Sequence, residues 1–387
     1  MTARVSGELT DRVARAALSR LGEPGDLRLA RLVRDLGAVS LYRLLAEERG
    51  LDGVYSDVAA RLHALDPERD LQEAQRRGIR FVCPGDAEWP AVLDDLDTAE
   101  PVQGRGGVPV GLWVRGPLSL REVSSCAAAV VGSRSATTYG AQVAGDLAAA
   151  LAAEQICVVS GAAFGIDQAG HRGALAARGP TVAVLACGVD RAYPSAHKNL
   201  LDYIADVGLL VSELPPGCAP TKLRFLSRNR VIAALARGTV VVEAAVRSGA
   251  LNTANWCTRL NRPLMGVPGP VTSAPSEGVH ELIRRGEATL VTRGADVLEL
   301  LAPAGSFLAP PPRAPAATGD RLTDRERQVL DAVPVSVLAG TDSIARTAGI
   351  ALGEVATSLS RLRSLGLVDG GEGRWRLARE GDSAGER

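Results

Sequence analysis

Seven short apolar runs between residues 126 and 301 alternate with helical stretches. A helical segment precedes them, and three helices with a hairpin follow. These observations predict an α/β protein, with an extended Rossmann-like, doubly wound sheet, an N-terminal helical module and a C-terminal winged helix. Strands of a parallel sheet are buried on both faces, so they read as continuous apolar runs rather than as alternating patterns. The runs are AAAVVG, ICVVSG, TVAVLACG, LLVSE, TVVVEA, LMGVPG and TLVT. Most lead into glycine-rich or polar residues and then a helix.

Residues 1–75 form the expected helical module, with helical periodicity in LARLVRDLGAVSLYRLL and a Gly/Pro break at 22–25. Residues 76–301 form the expected sheet domain, opening with the β-like pieces IRFVC and VGLWVRG. The stretch APAGSFLAPPPRAPAATGD, at 302–320, is too proline-rich for a helix or strand interior and reads as a semi-extended linker. Residues 321–380 carry LTDRERQVLDAV, two further helices at 341–348 and 352–365, and GLVDGGEGRWRLA. That last piece is expected to be a hairpin turning on Asp369, Gly370 and Gly371.

The bulk charge is zero, with 44 Lys and Arg against 44 Asp and Glu, which argues against a protein that coats nucleic acid through net charge. The charge is nevertheless segregated. Between Lys222 and Arg262 the chain also carries Arg224, Arg228, Arg230, Arg237, Arg247 and Arg259 against the single acid Glu243. Acids gather earlier, at Asp86, Glu88, Asp94, Asp95, Asp97 and Glu100. Six scattered cysteines form no C-x-x-C pair, so neither a zinc site nor a disulfide framework is expected, and a reduced, cytoplasmic setting is. No apolar run reaches the ~18 residues of a membrane span, and residues 1–10 lack an export segment. No cofactor, metal site or membrane contact is expected.

Four segments carry candidate chemistry. In VVGSRSATTYG a strand ends at Gly132, Ser133 and Arg134, and Thr137 or Thr138 can cap the next helix. Ligands of open α/β sheets bind at such strand ends, where helix starts offer free N–H groups and an arginine adds a bidentate phosphate contact. In VVSGAAFGIDQAGHRGAL, Asp167 and His171 lie four apart on one helix face. With no nucleophile or metal partner beside them, a cap and its packed partner is the expected role, and an acid–base pair the alternative. In FLSRNRVIAALARGTVVVEAAVRSGALNTANW, the residues Ser227, Arg228, Asn229 and Arg230 are expected to open a helix. Glu243 ends the following strand, where a buried pair with Arg228 or Arg230 is expected. Arg247, Ser248, Gly249 and Ala250 form a further glycine loop before a helix beginning near Asn252 and Thr253. In VPGPVTSAPSEGVHELIRRGEATLV, a rigid turn precedes a helix that Ser276 is expected to cap.

In order, VGSRSATTYG, SGAAFGIDQAGHRGAL, VLACGVDRAYPSAHKNL, LVSELPPG, RNRVIAALARGTVVVEA, SGALNTA, VPG and SEGVHELI resemble the DNA-processing protein A family, also called Smf. The resemblance covers nearly all of residues 130–291. It implies a protein of natural transformation and recombination that binds single-stranded DNA, protects incoming strands, dimerises through the sheet domain and loads the RecA recombinase. It further implies a basic pocket made by Arg134, Lys222, Arg228 and Arg230, with Lys198 added. Phe225 matches a family aromatic, either core or base-stacking. Leu226, His280, Gly170 and the pair Gly286 and Glu287 depart from the family's usual residues.

The expected DNA-binding set is therefore Gly132, Ser133, Arg134, Lys198, Lys222, Arg228, Asn229, Arg230, Ser248 and Gly249, with no catalytic residue. The chief alternative is an enzyme similar to nucleotide phosphoribohydrolases, which share this kind of sheet and use a strand-end glutamate. Arg237, Gly238 and Thr239 supply only a fragment of the loop such enzymes carry. A transcription regulator led by the winged helix, through Ser358, Ser360, Arg361 and Arg363, is a third class.

Overall fold

A computed structural model describes residues 9–47, 62, 64–303, 305–308 and 322–378. The chain divides into two compact units, 1–309 and 310–387. Most of the proline-rich stretch expected to be a linker lies outside the described residues.

The first unit is built on one nine-stranded sheet. Its strands are β1 (Ile79–Val82), β2 (Leu112–Arg115), β3 (Ala127–Val131), β4 (Cys157–Ser160), β5 (Thr181–Val184), β6 (Leu209–Ser212), β7 (Gly238–Val241), β8 (Leu264–Gly266) and β9 (Thr289–Leu290). The spatial order is β1-β2-β6-β5-β4-β3-β7-β8-β9. The strands from β6 to β9 are parallel, and β1 and β2 join as an antiparallel hairpin on the β6 edge. All seven apolar runs became strands of this sheet.

Burial on both faces explains their lack of alternation. In β3, Ala127, Ala129 and Val131 enter one core cluster, while Ala128 and Val130 enter the cluster on the other face. The crossover helices Thr138–Ala153 and Ile166–Ala176 cover one face, and helix Lys222–Leu235 lies on the other. The helices Asp11–Leu21, Leu27–Leu36 and Ala38–Ala46 build a smaller core around Leu18, Val33 and Leu41. Among the described residues, no helix is long and apolar enough to cross a membrane.

The winding direction reverses between β3 and β7. From β3 the chain proceeds through β4, β5 and β6 on one side, and from β7 through β8 and β9 on the other. The connections leaving β3 and β7 must therefore diverge, which opens a crevice at the carboxyl ends of these two strands.

The second unit holds helices Asp324–Asp331, Thr341–Ala348 and Leu352–Ser364, with strands β10 (Ala339–Gly340), β11 (Val368–Gly371) and β12 (Arg374–Leu377) in the antiparallel order β10-β12-β11. Val329, Ile344, Leu359, Leu362 and Trp375 form its core. A reciprocal cap between Thr323 and Glu326 starts the first helix. The hairpin turns at Glu372 and Gly373, both with positive φ, and not at Asp369, Gly370 and Gly371. A two-residue turn of that kind matches strand twist, so Asp369 to Gly371 stay in the ladder.

Candidate nucleic-acid interface

A cleft of about 890 Å3 opens at the β3/β7 switch point. Gly132, Ser133 and Arg134 line it from the end of β3, and Arg247, Ser248 and Gly249 from the loop after β7. Lys222, Phe225, Arg228 and Asn229 of helix Lys222–Leu235 form one wall, and Tyr193 approaches from the loop after β5.

The β3 loop is held by backbone and by one buried acid. Ser133 N–H donates to the Glu243 carbonyl at 2.7 Å, and the Ser133 carbonyl accepts from Ile166 N–H at 3.1 Å. Glu243, 1% exposed, accepts from the Thr137 N–H at 2.9 Å and from its hydroxyl. Thr137 in turn caps helix Thr138–Ala153 by accepting from Gly140 N–H. A Cβ at Gly140 would stand 2.2 Å from the Glu243 carboxyl carbon, so only glycine fits there. The expected pair between Glu243 and an arginine is not formed, because the capping threonine has taken its place. That also leaves Glu243 facing away from the role of a free acid–base group. Gly165, at φ +77°, brings the next loop against Ser133, where a Cβ would meet the Ser133 carbonyl at 2.3 Å.

Helix Lys222–Leu235 begins five residues earlier than expected. Thr221, after Pro220, caps it by accepting from Arg224 N–H. The segment from Ser227 to Arg230 thus lies inside the helix rather than at its start. This matters for the two arginines, since residues two apart on a helix point roughly 200° from each other. Lys222, Phe225, Arg228 and Asn229 share the cleft side. Arg230 points away. It is 1% exposed, pairs with Glu213 through both terminal nitrogens, and donates to the carbonyls of Gly107 and Ser227. Arg230 is therefore a structural residue and not part of the cleft.

Arg228 lies on the cleft floor but is buried. It donates to the Gly161 carbonyl at 2.6 Å and the Val184 carbonyl at 2.5 Å, tying the ends of β4 and β5 together. Burial holds its guanidinium down at about 10. Asp167, also buried on the floor, accepts from the N–H groups of Gly161 and Ala163. Burial raises its carboxyl above the usual range, against the pull of Arg228. His171 does not bond Asp167; its Nδ1 meets the Thr181 hydroxyl at 2.8 Å. The acid–base pairing of Asp167 with His171 is not formed, and neither is the expected cap: Gly165 stands at the N-cap without a side-chain bond, while Asp167 holds the loop before the helix and His171 is a packed side chain.

Asn229 donates to the Gly249 carbonyl and to the Asn252 side chain, which fixes the loop after β7. Ser248 accepts from Ala250 N–H, and the helix there runs Ala250–Arg259. Lys198 does not reach the cleft: it starts another helix and pairs with Asp202 one turn on. Ser276 is not the cap of its helix, which runs Ala274–Arg284 with Pro275 in its first turn. Its hydroxyl is buried against Gly269 instead.

Arg134, Lys222 and Arg247 remain as exposed cations lining the cleft, and none of them forms an ion pair with a described residue. Arg247 was absent from the expected set, although it directly precedes Ser248 and Gly249. Tyr193 was also missed, since one tyrosine in a loop carries no spacing signal.

The sequence profile of the DNA recombination-mediator protein A family matches residues 80–302, from the first strand of the sheet to the end of its last helix. This chain belongs to that family. A DNA processing protein DprA of Mycobacterium tuberculosis is 45% identical over 368 residues, which cover 95% of this chain and 94% of that protein. Protein Smf of Escherichia coli is 36% identical over 278 residues, covering 67% and 69% of the two chains. Among solved structures, DNA processing protein A of Streptococcus pneumoniae superposes with a TM-score of 0.62 at 30% identity, over 76% of this chain and 98% of that one. The matched span contains every cleft residue, Leu226 among them, and also His280, which lies outside the cleft against Gly269.

Proposed function

We propose that this DNA recombination-mediator family protein binds single-stranded DNA in the β3/β7 cleft, with Arg134, Lys222 and Arg247 on its phosphates. One observation carries the reading: three exposed cations without acidic partners converge on a crevice at the sheet's switch point, in a chain whose net charge is zero. Unpaired charge is costly to gather unless a polyanion meets it, and sheet crevices of this kind are ligand sites. The backbone of the Gly132 and Gly249 loops and the Ser133 and Ser248 hydroxyls complete a grip on phosphate and sugar that carries no sequence information.

The finer role follows from the family resemblance: the protein shields incoming strands during transformation and recombination, acts as a dimer and delivers strands to RecA. The second unit's three helices and three-stranded sheet support the winged-helix reading of residues 321–380, and the helices before residue 76 have a small core of their own within the same compact unit as the sheet. An enzymatic reading loses its best candidate, because Glu243 is engaged by Thr137.

Gel shifts of the full chain with single-stranded and duplex DNA test the binding. The single strand is expected to bind more tightly, and Arg134→Ala, Lys222→Ala and Arg247→Ala each to weaken it. Equal binding by wild type and all three variants would overturn the cleft assignment. RecA nucleation on single strands, with and without this protein, tests the loading role.

A further inference from the structure

Phe225 presents a ring to the cleft, and Arg134 lies over it. The Arg134 guanidinium carbon is 4.8 Å from the ring centroid, within cation–π range. Arg228 approaches the same ring at 5.9 Å. Arg228 is buried and Arg134 exposed, and both line the cleft with Phe225, so Arg134 is the one of the two guanidinium groups free to move off the ring. Tyr193 stands 5.5 Å from Phe225 at a 47° tilt and lines the same space. The arrangement brings two positive groups to one ring, and the nearby Arg134 charge adds to burial in holding Arg228 down.

A nucleobase and a guanidinium both need the layer about 3.5–4 Å above the ring, so they exclude one another there. We infer that Arg134 is a specificity-determining residue, making base stacking on Phe225 conditional on a phosphate that draws the guanidinium off the ring. This rests on the single-strand reading above and deepens it. A phosphate offers the arginine a charge-assisted, bidentate pair, which is stronger than its weak exposed contact with the ring. A strand bearing both groups therefore exchanges one arginine contact for a better one and gains the ring. A free base or an uncharged backbone must displace the arginine with nothing in return. The cleft thus selects polyanionic strands over nucleosides, even though its aromatic wall would suit either.

Two oligo-dT ligands of one length test this by fluorescence anisotropy on the full chain: one with phosphodiester links, one with uncharged methylphosphonate links. Arg134→Ala is expected to weaken phosphodiester binding and to strengthen methylphosphonate binding about twofold to fivefold, the reach of an exposed cation–π contact. In the double variant with Phe225→Leu, that gain disappears. If Arg134→Ala weakens the phosphodiester strand but leaves methylphosphonate binding undetectable, unchanged or weaker, the masking role is wrong and the strand reading stands. If phosphodiester binding is unchanged, the strand reading itself fails and takes this inference with it. A gain that survives Phe225→Leu also overturns it, since the ring would then play no part.

Discussion

His171 is wholly buried, and burial pushes its imidazole down to about 3, with the neighbouring Arg228 charge acting in the same direction. In the unfolded chain it would titrate near 6.5. The folded form therefore disfavours the proton. The associated stability is complete above the unfolded value and is lost as pH falls from about 6.5 towards 3, at up to about 1.4 kcal/mol per pH unit. His171→Asn can still donate to the Thr181 hydroxyl, so urea titrations of this variant should show a shallower loss of stability between pH 6 and pH 4 than wild type. An identical slope would mean that His171 is not held neutral. Glu243 makes a second prediction at this scale. Glu243→Ala leaves the half-buried Thr137 N–H and hydroxyl without their acceptor, and should cost roughly 1–3 kcal/mol in the same titrations. Because the carboxylate also anchors the start of the helix behind the Arg134 loop, strand binding should weaken as well. Glu243 was readable as a buried strand-end acid, but its partner was not. A threonine cap 106 residues earlier in the chain competes as well as an arginine, and only the packing of β3 beside β7 brings it there.

Helix Lys222–Leu235 shows how an element divides neighbouring side chains between roles. Its cap, Thr221, sets the phase, and the phase sends Arg228 to the cleft floor and Arg230 to Glu213. Arg230→Ala strands a buried carboxylate and should destabilise the fold by about 3–5 kcal/mol. Arg134→Ala, at an exposed loop position, should leave the melting temperature nearly unchanged. Thermal melts of the two variants check this contrast, and a destabilised Arg134→Ala would contradict it. The apolar runs of the sheet were legible because burial on both faces leaves no other reading of AAAVV or TVVV. The cationic segment was legible in composition but not in direction: Arg228, Asn229 and Arg230 look equivalent in sequence, and one missed cap was enough to misplace the helix start. Arg247 was hidden differently, inside a loop whose path depends on Asn229 and Asn252.

Among the described residues, balanced charge and a basic cleft are compatible because many of the cations outside the cleft are paired with acids. Arg262 is held by Asp95 and three helix-end carbonyls, Arg224 by Glu23, and Arg230 by Glu213. What remains unpaired in the cleft is small, local and placed where the sheet opens. Binding should therefore depend on few phosphates, with weak base preference and modest but definite salt dependence. Each phosphate neutralised on a single strand contributes about 0.7 to the slope of log affinity against log salt. The deciding measurement is a salt titration of oligo-dT binding by wild type and by the triple variant Arg134→Ala, Lys222→Ala, Arg247→Ala. The slope should fall by about 0.7 for each cation removed, with the fold intact by circular dichroism. A triple variant that keeps the wild-type slope would place the strand elsewhere on the molecule.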